Sequence, residues 1–418
     1  MARSVGRGGF GVPLSTLFLD LNSYFASVEQ QLQPALRGRP VVVTPVEAGS
    51  GCCIAASYEA KAFGIRTGTR VGEARRLCPE VAVAKARHSE YVRFHQRIIE
   101  AVETCIPVAE VHSIDEVSCR LDRRERTPEA ATALALRVKA AILERVGECL
   151  RCSVGIAPNT LLAKVGTDMR KPDGLVVLRD EDLPHALYEL NLTDLPGIAG
   201  RMERRLNAAG IRTVEQLCAC SKEALREAWG SVLGAYWWHW LRGHEVARPA
   251  TRRRSVGHSH VLAPELRNEE GARAVIIRLL HKAAARMRHL GYGAGEMSIS
   301  VRLVGGRGWD ARAELPGGSQ DTLEMIGVLG RLWARRPRGP VLQVGVTLAA
   351  LGATGEATMP LFPEEVRRRA LSRAIDRLNA RHGRLTVYTA SMQGVRGSAT
   401  GGIAFASVPD LGFSDTVA

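Results

Sequence analysis

An apolar run that stops on an acid constrains this chain more than any other feature. Leu17-Phe18-Leu19 ends at Asp20, and much later Val111-His112-Ser113-Ile114-Asp115-Glu116-Val117 sets two acids side by side in an apolar stretch. A run of this kind reads as a buried strand whose tip reaches solvent. Successive side chains on a regular strand face opposite ways, so Asp115 and Glu116 can share one site only at a turn or a strand start. Three converging carboxylates repel one another, and a hard, oxygen-seeking cation such as Mg²⁺ is the natural remedy. On these residues alone, two solvated hairpin acids and an unrelated strand-end aspartate remain the competing reading.

At 418 residues the chain is too long for one ordinary hydrophobic core and divides into several domains. An apolar content of 45% and a charged content of 24% are globular values and exclude a disordered chain. The net charge of +14 favours a polyanionic partner, nucleic acid first, because each phosphate contact releases condensed counterions. Solubility charge in an arginine-rich proteome is the alternative. No apolar stretch is long enough to span a membrane, and the Gly/Arg-rich Met1–Pro13 lacks the apolar core of a secretion signal. A soluble, cytoplasmic protein is expected. Cys149-x-x-Cys152 has no second pair or histidine at finger spacing, so structural thiols are expected, with Cys52, Cys53, Cys105 and Cys119 as small core residues.

From Leu14 to about Val177, short β runs (Val41-Val42-Val43, Ser153–Ala157, Gly174–Leu178) mix with helical spacing at 90–108, 128–146 and 161–169. That mixture predicts an α+β sheet covered on one face. From Leu183 to Gly243 short helices dominate, ending in Tyr236-Trp237-Trp238-His239-Trp240, which is expected to be core and not a base-stacking platform. A basic break containing Arg252-Arg253-Arg254 reads as a linker. A second α+β unit follows, with a long helix at 268–290, strands at 297–303 and 341–348, and a helix at 364–380 before a polar tail.

The block Phe18-Leu19-Asp20-Leu21-Asn22-Ser23-Tyr24-Phe25-Ala26-Ser27-Val28-Glu29, set beside Ser113-Ile114-Asp115-Glu116, closely resembles the palm of Y-family DNA polymerases, the DinB/UmuC-type translesion enzymes. Ser57-Tyr58-Glu59-Ala60-Lys61-Ala62-Phe63-Gly64-Ile65, Leu161-Leu162-Ala163-Lys164 and Lys171-Pro172-Asp173-Gly174 continue the resemblance in order, over roughly residues 14 to 390. It implies an α+β right-hand polymerase: a flexible N-terminus (1–13), an α/β palm (14–30 and 80–180), small fingers (31–79) and a helical thumb with a helix-hairpin-helix (181–245). A basic linker (246–256), a separate α+β little finger (257–350) and a C-terminal tail (351–418) would follow.

The same resemblance implies two Mg²⁺ ions, with Mn²⁺ as a substitute, held by Asp20, Asp115 and Glu116 with the Leu21 carbonyl as a further ligand. Phe25 would be the steric gate that excludes a ribose 2′-hydroxyl, with Tyr24 beside it helping to hold the incoming nucleotide. Tyr58, Lys61 and Lys164 would grip the triphosphate. Lys61 stands where many relatives carry arginine, and Ala55 where they carry threonine; lysine cannot reproduce a planar bidentate grip. Leu195-Pro196-Gly197-Ile198-Ala199-Gly200 resembles the hairpin that offers N–H groups to a DNA phosphate, through Gly197 and Gly200, with Ala199 in place of the usual second glycine. Arg252, Arg253, Arg254 and Arg302 would contact DNA, joined by Arg273, Arg278, Lys282, Arg286 and Arg288 of the long helix. Thr358-Met359-Pro360-Leu361-Phe362 resembles the peptide that docks on a sliding clamp, anchored by Leu361 and Phe362, although relatives usually begin it with glutamine.

The leading expectation is an error-prone, proofreading-free translesion polymerase, monomeric, acting on primer-template DNA and dNTPs in damage tolerance. A non-catalytic adaptor of the same fold, recruiting mutagenesis factors to the clamp, is the second reading. A two-metal nuclease is the third. Relatives that serve only as adaptors are expected to lose the acidic trio, which this chain retains.

Overall fold

Apolar residues fill both sides of the first strand because both sides are covered. The computed structural model describes residues 11–45, 51–247, 252–354, 362–383, 385–395 and 397, and the chain divides between residues 248 and 249 into two units. The first unit opens with β1 (Thr16–Leu21) and α1 (Tyr24–Leu32), then β2 (Val41–Thr44), β3 (Ala55–Ala56), α2 (Tyr58–Ala62), α3 (Val71–Leu77) and β4 (Ala82–Lys85). It continues through α4 (His88–Glu103), β5 (Val108–Val111), β6 (Glu116–Arg120), α5 (Pro128–Arg145), β7 (Cys152–Ala157), α6 (Thr160–Met169) and β8 (Leu175–Val177).

These strands form two sheets. A five-stranded sheet runs β5-β6-β1-β7-β8, with β1 antiparallel to both neighbours, and a small sheet runs β3-β2-β4. β4 carries the small sheet through Lys85.

Side chains alternate along β1. Leu17, Leu19 and Leu21 join the core beneath α4 and α5, with Tyr91, Phe94, Leu134 and Val138. Phe18 points the other way and packs with Leu162, Ala163 and Val165 of α6. The expected one-sided cover is therefore corrected: α6 lies on the second face. It can approach because β7 carries Gly155 there. A Cβ on Gly155 would stand 1.9 Å from the Ala163 carbonyl oxygen and 2.7 Å from the Thr167 nitrogen. Asn159 starts α6 by accepting the Leu162 N–H at 2.9 Å.

Beyond the sheet come α7 (Gly200–Ala208), α8 (Val214–Ala219), α9 (Lys222–Trp229) and α10 (Leu233–Trp240). Trp237 and Trp240 are buried, and Trp237 sits 5.2 Å from the Trp229 ring, so these rings are core. Trp238 is half-buried beneath the Arg242 guanidinium, 4.0 Å from its ring centroid. All nine cysteines are free thiols. Cys53 and Cys119 are buried as expected, whereas Cys52 is exposed and Cys105 only half-buried.

The second unit contains β9 (Ser255–Val261), α11 (Glu269–His289), β10 (Tyr292–Leu303), β11 (Gly308–Ser319), α12 (Thr322–Trp333), β12 (Val341–Ala353) and α13 (Pro363–His382). Its sheet runs β11-β10-β12-β9, all antiparallel. Met297, Ile299 and Val301 share a core with Val344, Val346 and Leu348 and with Val275, Leu279 and Ala283 of α11. Ser298, Ser300 and Arg302 alternate onto the opposite face.

The tight seat of α6 gives a direct test. Gly155→Ala is expected to destabilise the protein by about 2 kcal/mol or more, because backbone and not a flexible side chain meets the new methyl. Equilibrium denaturation measures this, and a variant indistinguishable from the parent would contradict the packing.

Candidate active site

Where β1 meets β6, the register sets Asp20 opposite Glu116, so both side chains leave the same face of the sheet. Glu116 is the first residue of β6, and the Leu21 N–H donates to the Asp115 carbonyl oxygen at 2.8 Å. The acid pair thus straddles a strand start, the geometry that lets neighbouring acids serve one site. Asp115 accepts a hydrogen bond from the Ser113 hydroxyl, which partly holds its pKa down. Burial, then the Asp20 and Glu116 charges, nevertheless push that carboxyl up to about 6.

Two lysines converge on these acids. Lys164 of α6 pairs with Asp20 and, at 2.9 Å, with Glu116. Lys171, just past the end of α6, reaches Asp20 at 2.7 Å. Asp168 pairs with both lysines, at 3.3 and 2.7 Å. Burial works against the Lys164 charge, but Asp20, Glu116 and Asp168 outweigh it and hold the ammonium above the ordinary lysine range. Lys171 belongs to the Lys171-Pro172-Asp173-Gly174 block, but local sequence carries no sign that it reaches Asp20.

Among the described residues, no group of three His, Cys, Asp or Glu side chains converges closely enough to hold a metal ion. Asp20 and Glu116 are bridged by Lys164 instead. The donor set still fits a hard divalent cation: it is all oxygen, and burial together with the Asp20 and Glu116 charges raises Asp115. Asp20, Asp115 and Glu116, with the Leu21 carbonyl, are the residues that would hold it.

α2 places Tyr58 and Lys61 in the field of the same charges, Asp20 and Lys171. The Lys61 ammonium lies 4.1 Å from the Tyr58 ring centroid. Burial lowers Lys61, and Lys171 lowers it further, while Asp20 opposes both. Phe25 is 5% exposed and stacks on Tyr91, with centroids 4.5 Å apart and planes at 21°. Tyr24 lies beside Phe25, with ring centroids 5.7 Å apart. Its side chain turns into the core and its hydroxyl donates to the Tyr91 carbonyl oxygen at 2.5 Å, because α1 buries that face beneath α4.

Among the residues expected to contact DNA, Gly197 adopts φ +97°, a conformation that favours glycine, just before Ala199 and Gly200 begin α7. Arg252, Arg253, Arg254 and Arg302 are exposed. Arg278 and Arg288 are corrected from phosphate contacts to structural residues. The buried Arg278 donates to the Val395 carbonyl oxygen at 2.6 Å. Arg288 forks onto Asp376 at 2.6 and 2.9 Å and donates to the Gln320 carbonyl oxygen. A helix periodicity cannot distinguish a solvated arginine from one that a later segment covers. Leu361 lies outside the described residues, while Phe362 is exposed at the start of α13.

The Asp115 environment sets a pH dependence. Its folded value lies above that of a free carboxyl, so across the window up to about 6 the folded chain keeps a proton that the unfolded chain has lost. The contribution of this group to stability therefore falls as pH rises through that window. Carboxyl-carbon NMR of the cation-free protein is expected to place the Asp115 midpoint near 6, to lower it in Glu116→Gln, and to lower it again when Mg²⁺ is added. A midpoint unmoved by either change would contradict the shared site.

The sequence matches the impB/mucB/samB family over residues 19–168 and that family's C-terminal domain over 253–361. Residues 193–245 match the thumb domain of DNA polymerase-iota. DNA polymerase IV of Pelotomaculum thermopropionicum is 34% identical, with 90% of this chain and 94% of that protein covered. Among solved structures, a Y-family DNA polymerase chimera superposes with TM-score 0.66 at 27% identity, covering 81% of this chain and 99% of its own. The insertion ternary complex of Dbh DNA polymerase superposes with TM-score 0.53 at 27% identity, covering 80% and 98%. Ordered motifs, thumb and little finger thus converge on one conclusion: the chain belongs to the impB/mucB/samB family, the DinB-type Y-family DNA polymerases.

Proposed function

We propose that this chain extends a primer 3′-hydroxyl with deoxynucleotides on a DNA template, without proofreading, in tolerance of damaged bases. The observation that carries the reading is the Asp20–Glu116 register pair, with Asp115 behind it and three lysines in its field. In the reaction the 3′-hydroxyl gives up its proton to water as its oxygen forms a bond to the α-phosphorus, the α–β bridge breaks and pyrophosphate leaves. A pair of Mg²⁺ ions at the carboxylates would stabilise the attacking and leaving oxygens.

The chain's own residues do the positioning. Lys61, Lys164 and Lys171 supply point charges for a triphosphate, and the mutual repulsion of Lys61 and Lys171 is relieved by such an anion. Tyr58 offers its hydroxyl beside them. Phe25 closes the sugar side as the steric gate. Gly197, Gly200, Arg252, Arg253, Arg254 and Arg302 serve the DNA backbone without reading bases, as tolerance of altered templates requires. Leu361 and Phe362 would anchor a sliding clamp, and the working location is the cytoplasm.

Primer extension tests the reading. Wild-type protein is expected to add nucleotides with Mg²⁺, and Asp115→Ala to lower the rate by at least about a thousandfold, since a ligand that positions charge in the transition state is lost. Unchanged extension by the variant would overturn the site. Tight binding of primer-template with no incorporation under Mg²⁺ or Mn²⁺ would favour the adaptor reading.

A further inference from the structure

We infer that Tyr91, clamped by Glu29 and Arg87, is a positioning residue that fixes the Phe25 ring and so sets the sugar selectivity of the site. The inference rests on the reading of Phe25 as the steric gate. Phe25 and Glu29 stand one turn apart on α1; Arg87, which precedes α4, and Tyr91 stand one turn apart on the other side. The two pairs face each other. Phe25 stacks on Tyr91, and Tyr91 donates its hydroxyl to Glu29 Oε1 at 2.8 Å. Arg87 Nε lies 3.2 and 3.1 Å from the two Glu29 oxygens, and Gln33 Nε2 donates to Oε2 at 3.1 Å.

Glu29 and Tyr91 are both 0% exposed. A carboxylate buried this deeply is tolerated only when its lone pairs are filled, and well-packed apolar residues would join two helices at least as firmly. What the polar arrangement adds is direction. A hydroxyl held by a fixed carboxylate sets how far the Tyr91 ring can swing or retreat, which an apolar side chain would not. The Tyr91 backbone is held as well, because its carbonyl accepts the Tyr24 hydroxyl. The Phe25 ring therefore cannot recede without moving Tyr91. A gate that must reject one hydroxyl fails if it yields by about the width of an oxygen atom, whereas a deoxyribose makes no such demand. Loosening the clamp should thus affect the ribonucleotide far more than the deoxynucleotide.

Single-nucleotide insertion kinetics with matched dNTP and rNTP provide the test. Tyr91→Phe keeps the stacked ring and removes only the hydroxyl. It is expected to lower the dNTP-over-rNTP ratio of kcat/KM about tenfold, the loss expected for one buried hydrogen bond, by raising ribonucleotide insertion. Arg87→Gln is expected to do the same, and Arg87→Lys to keep most of the selectivity, with circular dichroism and thermal melting confirming the fold of each. Phe25→Ala should collapse the ratio, and adding Tyr91→Phe to it should change nothing further. If Phe25→Ala relaxes selectivity while Tyr91→Phe and Arg87→Gln scale both sugars equally, the network only staples two helices and the inference falls. If Phe25→Ala itself leaves the ratio unchanged, the gate reading falls and takes the inference with it.

Discussion

The pairing of β1 with β6 is the constraint on which the rest of the site depends. Strand side chains alternate, so a slip of one residue would send Asp20 into the core beneath α4 and α5 and bring a leucine to the charged end. Burial of Leu17, Leu19 and Leu21 makes that slip prohibitive, and the same register that buries the leucines aligns Asp20 with Glu116. Core packing and site geometry are thus one requirement. The close seat of α6 over Gly155 extends it, because that helix delivers Lys164 to the acids.

Charge balance is the second theme. Burial, with the Asp20 and Glu116 charges behind it, raises Asp115, and burial, with the Lys171 charge behind it, lowers Lys61. Neither set is comfortable alone. Hard cations and a triphosphate together would satisfy both, which is why the reading of nucleotidyl transfer fits this arrangement better than a site for either ligand by itself. The nuclease reading draws on the acids but leaves the lysine set without a purpose.

Much of this was legible in the residues. Asp20 at the end of an apolar run and Asp115-Glu116 inside one encode a strand end and a strand start, and local alternation suffices to read them. The cover of the second sheet face was not legible, because it turns on Gly155 meeting the backbone of a helix that begins only after β7 is complete. β9, β11 and α12 also escaped, since β9 carries His258 and His260 where apolar residues would mark a strand and β11 holds Pro316, Gly317 and Gly318. Arg278 and Arg288, expected among the DNA contacts, are instead engaged by residues far along the chain. Long-range cover leaves no trace in local periodicity. The role of Tyr91 was hidden for the same reason, as its partners Phe25 and Glu29 lie on another helix.

The shared-cation role of Asp20 is tested most directly by electron paramagnetic resonance of Mn²⁺ bound in the presence of primer-template and a non-hydrolysable dNTP. A spin-coupled pair of ions is expected in the wild-type protein, reduced to at most one uncoupled ion in Asp20→Asn. A coupled pair that persists in that variant would mean that the β1–β6 register does not build the metal site.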